Sequence, residues 1–191
     1  MHTIYTKIYL SLSALLLLTA CESNAVRDEQ SVFYAVPVGS TLILNQQVTI
    51  SGDQVAIYVQ DGEILRYREV NKYRPNCKFE VYTISEQART VSADEFEITK
   101  VEDTIESSSL HDNAQFAALD ISASGLHMGV GFLDHSLMFN YATMMYLKSE
   151  MQKDVYRMTC QHWESVTDDK HLSIAQMRGA MGDVFTLKIK E

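Results

Sequence analysis

Polar and apolar positions alternate with a period of two over most of the chain. Leu42, Leu44, Val48 and Ile50 alternate with Thr41, Ile43, Gln47 and Thr49, with an interruption at Asn45-Gln46. After the turn Ser51-Gly52-Asp53, Val55, Ile57 and Val59 make a second run. Asp61-Gly62 is a strong hairpin signal and predicts Ile64 through Val70 as the return strand, so the first half reads as a β-meander. Beyond Tyr73-Arg74-Pro75-Asn76, Cys77, Phe79 and Val81 share one phase while Lys78, Glu80 and Tyr82 share the other. Phe96 to Val101 is a further strand, and the acidic stretch after it reads as loop.

The second half continues the alternation less evenly. Phe116 to Ile121 suits a strand or a short helix, and Met128, Val130 and Phe132 alternate with Gly129 and Gly131. Leu137 to Leu147 is a long strand, with Leu137, Phe139, Tyr141, Thr143 and Met145 on one phase and Met138, Asn140, Ala142, Met144 and Tyr146 on the other. Val155 to Trp163 is its hairpin partner across Ser149 to Lys153; Tyr156, Met158 and Cys160 take one phase and Arg157, Thr159 and Gln161 the other. One helix is expected, Ile174 to Met181. Ser173 and Gln176 form a capping box, Leu172 and Met177 a hydrophobic staple, and Gly182 a stop. Val184 to Lys190 returns to strand. These elements predict a mainly β fold, an antiparallel sandwich or partly closed barrel with one short helix near the C-terminus; the pattern does not fix strand order.

The leader has another character. Lys7 precedes an apolar run from Ile8 through Leu18 that is too short to span a bilayer comfortably, and Leu18-Thr19-Ala20-Cys21 closes it. This resembles the lipobox of bacterial lipoproteins. The resemblance implies a signal peptide over residues 1–20 and a diacylglyceryl group on Cys21, which becomes the first residue of the mature protein. A secretory signal cut near Ala20 and an uncleaved amphipathic anchor are the alternatives. Glu22, rather than aspartate, leans toward the outer membrane by analogy with enteric bacteria. Two or three acyl chains make attachment stable where one is marginal. Residues 21–31 then form a flexible tether with a reach of roughly 20 Å, and residues 32–191 a single β-rich domain facing the periplasm.

Charge narrows the partners. The formal net charge of -9 becomes -10 once the leader, with Lys7 and no acid, is removed. Such a surface disfavours phosphate backbones and anionic head groups, so nucleic acid is not an expected partner and the membrane is met through the lipid. The acids from Asp94 to Asp120 face only Lys100; they read as a solvated edge or loop, with a cation-binding or basic-partner surface as the sharper alternative. Cys77 and Cys160 are the only other thiols and both fall on apolar phases, so in an oxidising compartment a Cys77–Cys160 disulfide is expected. Closing that loop contributes about 4–5 kcal/mol in the chain-entropy view. Two free thiols or a redox pair are the alternatives, although the close Cys-x-x-Cys spacing of redox sites is absent.

No motif names a reaction. Beyond the leader, His111, His127, His135, His162 and His171 are scattered, no His-x-x-x-His pair with a glutamate occurs, and no metal or cofactor is expected. Asp134-His135 is the most reactive-looking dipeptide, and with His127 it marks a possible ligand-binding pocket. His162-Trp163-Glu164 beside Cys160 reads as core or rim. The serine elbow, the phosphate-cradling loop and the dinucleotide fingerprint are missing, while a pair of glycosidase carboxylates would be invisible in sequence. Met138, Met144, Met145, Met151 and Met158 would suit copper(I), but without a repeated spacing they read as core filling.

Gly39-Ser40-Thr41-Leu42-Ile43-Leu44, Tyr58-Val59-Gln60-Asp61-Gly62, Tyr73-Arg74-Pro75-Asn76-Cys77 and Thr159-Cys160-Gln161-His162-Trp163 resemble an uncharacterised group of Gram-negative envelope lipoproteins. The resemblance implies an envelope location and carries no activity with it. The expectation is a non-catalytic binding or assembly module with a possible envelope protein partner. A small-molecule or metal binder, or a hydrolase of envelope polymers, is the alternative.

Overall fold

In the computed structural model, residues 27–108, 138–165 and 171–190 are described. Among these residues the alternating runs form strands β1 (Thr41–Leu44), β2 (Val48–Ile50), β3 (Ala56–Gln60), β4 (Glu63–Leu65), β5 (Asn76–Val81), β6 (Arg89–Val91), β7 (Asp94–Ser108), β8 (Met138–Lys148), β9 (Val155–Ser165) and β10 (Phe185–Lys188), with an α-helix, α1 (Ile174–Met181), between β9 and β10. Eight strands make one antiparallel sheet in the order β10-β1-β7-β8-β9-β5-β3-β4, and β2 and β6 pair separately. The sheet curls into an open half-barrel, as a mainly β, partly closed barrel with one short helix requires. The curl shows in Phe79 of β5, whose ring lies 5.1 Å from Phe185 of β10, five places away in the strand order.

The apolar phases line the inside. Leu42, Leu44, Phe79, Phe96, Ile98, Met145, Met158 and Leu187 are fully buried there, and Ile174, Met177 and Met181 of α1 join them. Burying a side chain of this size contributes about 1.5–3 kcal/mol, so the inner face supplies most of the driving force. Helix α1 packs on β3, β5 and β10, bridging the gap between the two sides of the curled sheet. Its start is built as the sequence predicts: Gln176 N donates to Ser173 Oγ, and Ser173 N donates to Gln176 Oε1. The carbonyl of Glu29 takes a third N-terminal donor, Ala175 N, at 3.0 Å, and the Glu29 carboxylate meets Arg178. The helix ends against the β3–β4 turn, where Gly62 N donates to Ala180 O and a Cβ on Gly182 would stand 2.4 Å from Gly62 Cα. Asp61 and Gly62 both have positive φ, the backbone of a tight hairpin turn.

Cys77 and Cys160 are register partners on the adjacent strands β5 and β9, with Cα atoms 4.0 Å apart and sulfurs bonded. Both point inward, as their phases predict.

Four expectations change. The first half is no meander: β1 pairs with β10 and β7, and β2 leaves the sheet to pair with β6. The return strand stops at Leu65, because Arg66 and Glu69 close a 3-10 turn over Tyr67–Glu69 through a capping box. The acidic stretch is strand as far as Ser108. A bulge at Thr99 between Ile98 and Lys100 shifts the inward phase from Phe96 and Ile98 to Val101, which breaks the period that sequence reading follows. A second bulge opposite Glu80/Val81 leaves Tyr156 without a register partner on β5, and its ring sits 4.4 Å from Tyr82 and 5.5 Å from Tyr146 instead of joining Met158 and Cys160 inside.

Candidate functional site

The phase that faces away from the core carries the polar chemistry. Register places Tyr58 of β3 beside Lys78 of β5 and Lys78 beside Thr159 of β9; Asn76 lies beside Gln161, and Trp163 beside Asn140 of β8. The loop from the 3-10 turn to β5 folds over this surface. With Tyr67, Val70 and Lys72 from that loop, the strands enclose a cavity of about 550 Å³ lined also by Tyr58, Asn76, Lys78, Asn140, Gln161 and Trp163.

The loop wall is held by one buried side chain. Gln60 Nε2 donates to the carbonyls of Asn71 and Pro75, and Gln60 Oε1 accepts from Asn71 N at 3.0 Å. Trp163 N donates to Lys72 O at 2.8 Å, tying the far side of the loop to β9. Asp61 and Arg74 pair across its base at 3.0 Å. The cavity is thus shaped before anything enters it.

Two of its lining residues are amides bonded on one side only. Asn76 is 1% exposed and Asn140 8% exposed, and the buried side-chain oxygen of each has no hydrogen bond among the described residues. Asn76 Nδ2 donates to the carbonyls of Arg74 and Gln161, and Asn140 Nδ2 donates to Gln161 Oε1, so each amide is fixed by its nitrogen. A buried acceptor left unmade costs about 1–3 kcal/mol and calls for an explanation. Aromatic rings form the sides: Tyr58 and Tyr67 lie 5.4 Å apart, and the Lys72 ammonium sits 4.8 Å from the Trp163 ring.

The charge next to the cavity is organised around Glu80. Its carboxylate accepts from Arg157 Nε at 2.6 Å and Thr159 Oγ1 at 3.2 Å, and Lys78 Nζ lies 2.9 Å away. Burial pushes the Glu80 pKa up, but the hydrogen bonds from Arg157 and Lys78 outweigh it and hold the carboxyl below its ordinary range. Glu80 therefore stays ionised, and Lys78 and Arg157 together leave this group one positive charge in excess. Lys72 forms no ion pair among the described residues, so the cavity is a cationic spot on an acidic chain.

A larger cleft of about 960 Å³ lies beyond the Tyr58–Tyr67 wall, lined by residues such as Ser51, Gln54, Arg66 and Glu69. Arg66 and Glu69 are already paired there, and none of the unpartnered buried atoms lines it.

No protein-family model matches the chain, and neither a curated protein nor a solved structure matches it. The site therefore has to be read from its own geometry.

Cys21, His127, Asp134 and His135 lie outside the described residues. The histidines described are less scattered than the sequence suggests: His162 of β9 and His171 before α1 both stack edge-on against Tyr141, at 6.0 and 5.6 Å. His171 Nδ1 lies 3.8 Å from Asp103 Oδ1, while Thr143 gives its hydroxyl proton to that same oxygen at 2.6 Å. The hydroxyl thus serves the carboxylate and not the imidazole, which is the wrong arrangement for an activated nucleophile. Among the described residues no cluster of three or more histidine, cysteine or acidic side chains could hold a metal, and no helix is long and apolar enough to cross a membrane. The methionines do not converge. Met145 and Met158 face each other in the core, Met144 lies by Arg157, and Met151 is exposed.

Trp163, read from sequence as core or rim, is instead a wall of the cavity. The signal available was phase: Trp163 continues the outward series Arg157, Thr159, Gln161, and Asn140 sits on the outward phase of its own strand. Only pairing in space shows that the two series adjoin.

Proposed function

We propose that the chain is a lipid-anchored envelope protein whose domain is a non-catalytic binding module, with the cavity between the 66–75 loop and strands β5, β8 and β9 as its site. One observation carries this reading: a preshaped cavity of about 550 Å³ gathers the Tyr58, Tyr67 and Trp163 rings and the Lys72 ammonium, and two of its lining residues, Asn76 and Asn140, hold buried side-chain oxygens without a partner among the described residues. A bound molecule that covers these rings and meets the Lys72 charge uses groups that the described residues leave open. The location rests on sequence. Lys7, the apolar run and Leu18-Thr19-Ala20-Cys21 fit a lipoprotein leader, and a disulfide between Cys77 and Cys160 suits an oxidising compartment.

The test is purification of tagged full-length protein from cross-linked native membranes, with Cys21→Ala and Asn140→Leu variants in parallel. Mass spectrometry then identifies both proteins and small molecules. The reading expects a bound species that Asn140→Leu loses, and release of Cys21→Ala from the membrane fraction. Recovery of bare protein in every arm contradicts the binding role, and membrane retention of Cys21→Ala contradicts the anchor.

A further inference from the structure

The cavity also describes its ligand, provided that it is the binding site. The side-chain amides of Asn76, Asn140 and Gln161 are among its lining and suit hydroxyl or N–H groups. The rings of Tyr58, Tyr67 and Trp163 offer apolar faces, as the C–H face of a pyranose needs. The Lys72 ammonium is held only by the rings of Tyr73 and Trp163, at 5.2 and 4.8 Å, and has no carboxylate beside it among the described residues. The second cation, Lys78, is already engaged by Glu80 at 2.9 Å. Among the lining residues Lys72 is the cation without an anion, which suits a carboxylate, and the acidic chain as a whole repels multiply charged phosphates.

We propose that the cavity binds an acidic sugar, a hydroxyl-rich pyranose bearing one carboxylate, as a free unit or at an end or branch of a glycan. The carboxylate reaches Lys72, the ring lies against the aromatic walls, and the hydroxyls meet the side-chain amides of Asn140 and Gln161. The volume of about 550 Å³ lies within the range of small-molecule sites. Because Gln60 pins the loop, little ordering is needed on binding.

Trp163 is the only tryptophan of the chain, so its emission reports on this cavity alone. Detergent-solubilised full-length protein is titrated with glucuronate, N-acetylmuramate and galacturonate, and in parallel with glucose, inorganic phosphate and a nucleoside monophosphate. Saturable changes with the acidic sugars are expected, at concentrations at least about tenfold below glucose. Lys72→Met brings acidic and neutral sugars level, and Asn140→Leu, checked for an unchanged near-UV spectrum, abolishes the response to both. Equal binding of glucose and glucuronate, a response confined to phosphate or the nucleotide, or an undiminished response in folded Asn140→Leu overturns the proposal. A cavity silent to every sugar, yet responding to a different molecule recovered from membranes, overturns the sugar and keeps the binding module. Silence to both overturns the two together.

Discussion

The two faces of one curled sheet are built on opposite terms. Inside, Phe79, Phe96, Met145 and Met158 are fully buried and satisfied by packing alone. Outside, on the same strands and one residue along, Asn76, Lys78, Glu80, Asn140 and Trp163 form a polar surface that is partly paired and partly left open. The inner face explains why the chain folds. The outer face contains the cost that folding does not require, and its unmet acceptors therefore point to function.

The largest effect should come from the inner face. Phe79 stacks on both Phe96 and Phe185, at 5.8 and 5.1 Å, so Phe79→Ala opens a cavity where the sheet closes on itself and should cost about 3–5 kcal/mol in urea unfolding. A loss below 1 kcal/mol would mean that the curl does not depend on this contact. Next comes the disulfide. Replacing both Cys77 and Cys160 with serine should cost about 2–5 kcal/mol, measured against the oxidised protein, since the bond closes a loop with 83 residues of separation.

The paired part of the outer face ranks third. Glu80→Gln leaves Lys78 and Arg157 half-buried without their anion and should cost about 1–3 kcal/mol near neutral pH. Glu80 has a folded-state pKa below its unfolded value of about 4.3. Its contribution is therefore full above that value and disappears as pH falls through the folded pKa. Parent and variant should converge in acid; a gap that persists at low pH would show that shape and not charge is at stake. Smallest is the helix cap, where Ser173→Ala removes the bond from Gln176 N and should lower stability by about 1 kcal/mol without touching either face of the site.

The same division decides what the sequence made legible. Inward phases could be read directly because burial selects apolar residues at every second position, and so most of the described strands, the helix with its Ser173 cap and the inward cysteines are found where alternation puts them. Reading failed where one residue breaks the count. The extra Thr99 hid the continuation of β7 into an acidic stretch, and the extra Tyr156 moved a ring out of the core. Strand order was out of reach, since nothing local joins Leu42 of β1 to Leu187 of β10. The cavity was hidden for a related reason. Its amides, rings and lysines come from β3, β5, β8, β9 and one loop, each an ordinary polar residue in its own segment, and only the register assembles them.

One measurement separates a face built for stability from one built for binding: thermal unfolding of Asn140→Leu. Asn140 buries an unpartnered oxygen and makes one side-chain bond, to Gln161, so a side chain of similar size without polar atoms relieves more than it removes. The account predicts a Tm equal to or above that of the parent, together with loss of ligand response. A marked fall in Tm would show that Asn140 serves the fold and would contradict the reading of this face as a binding site.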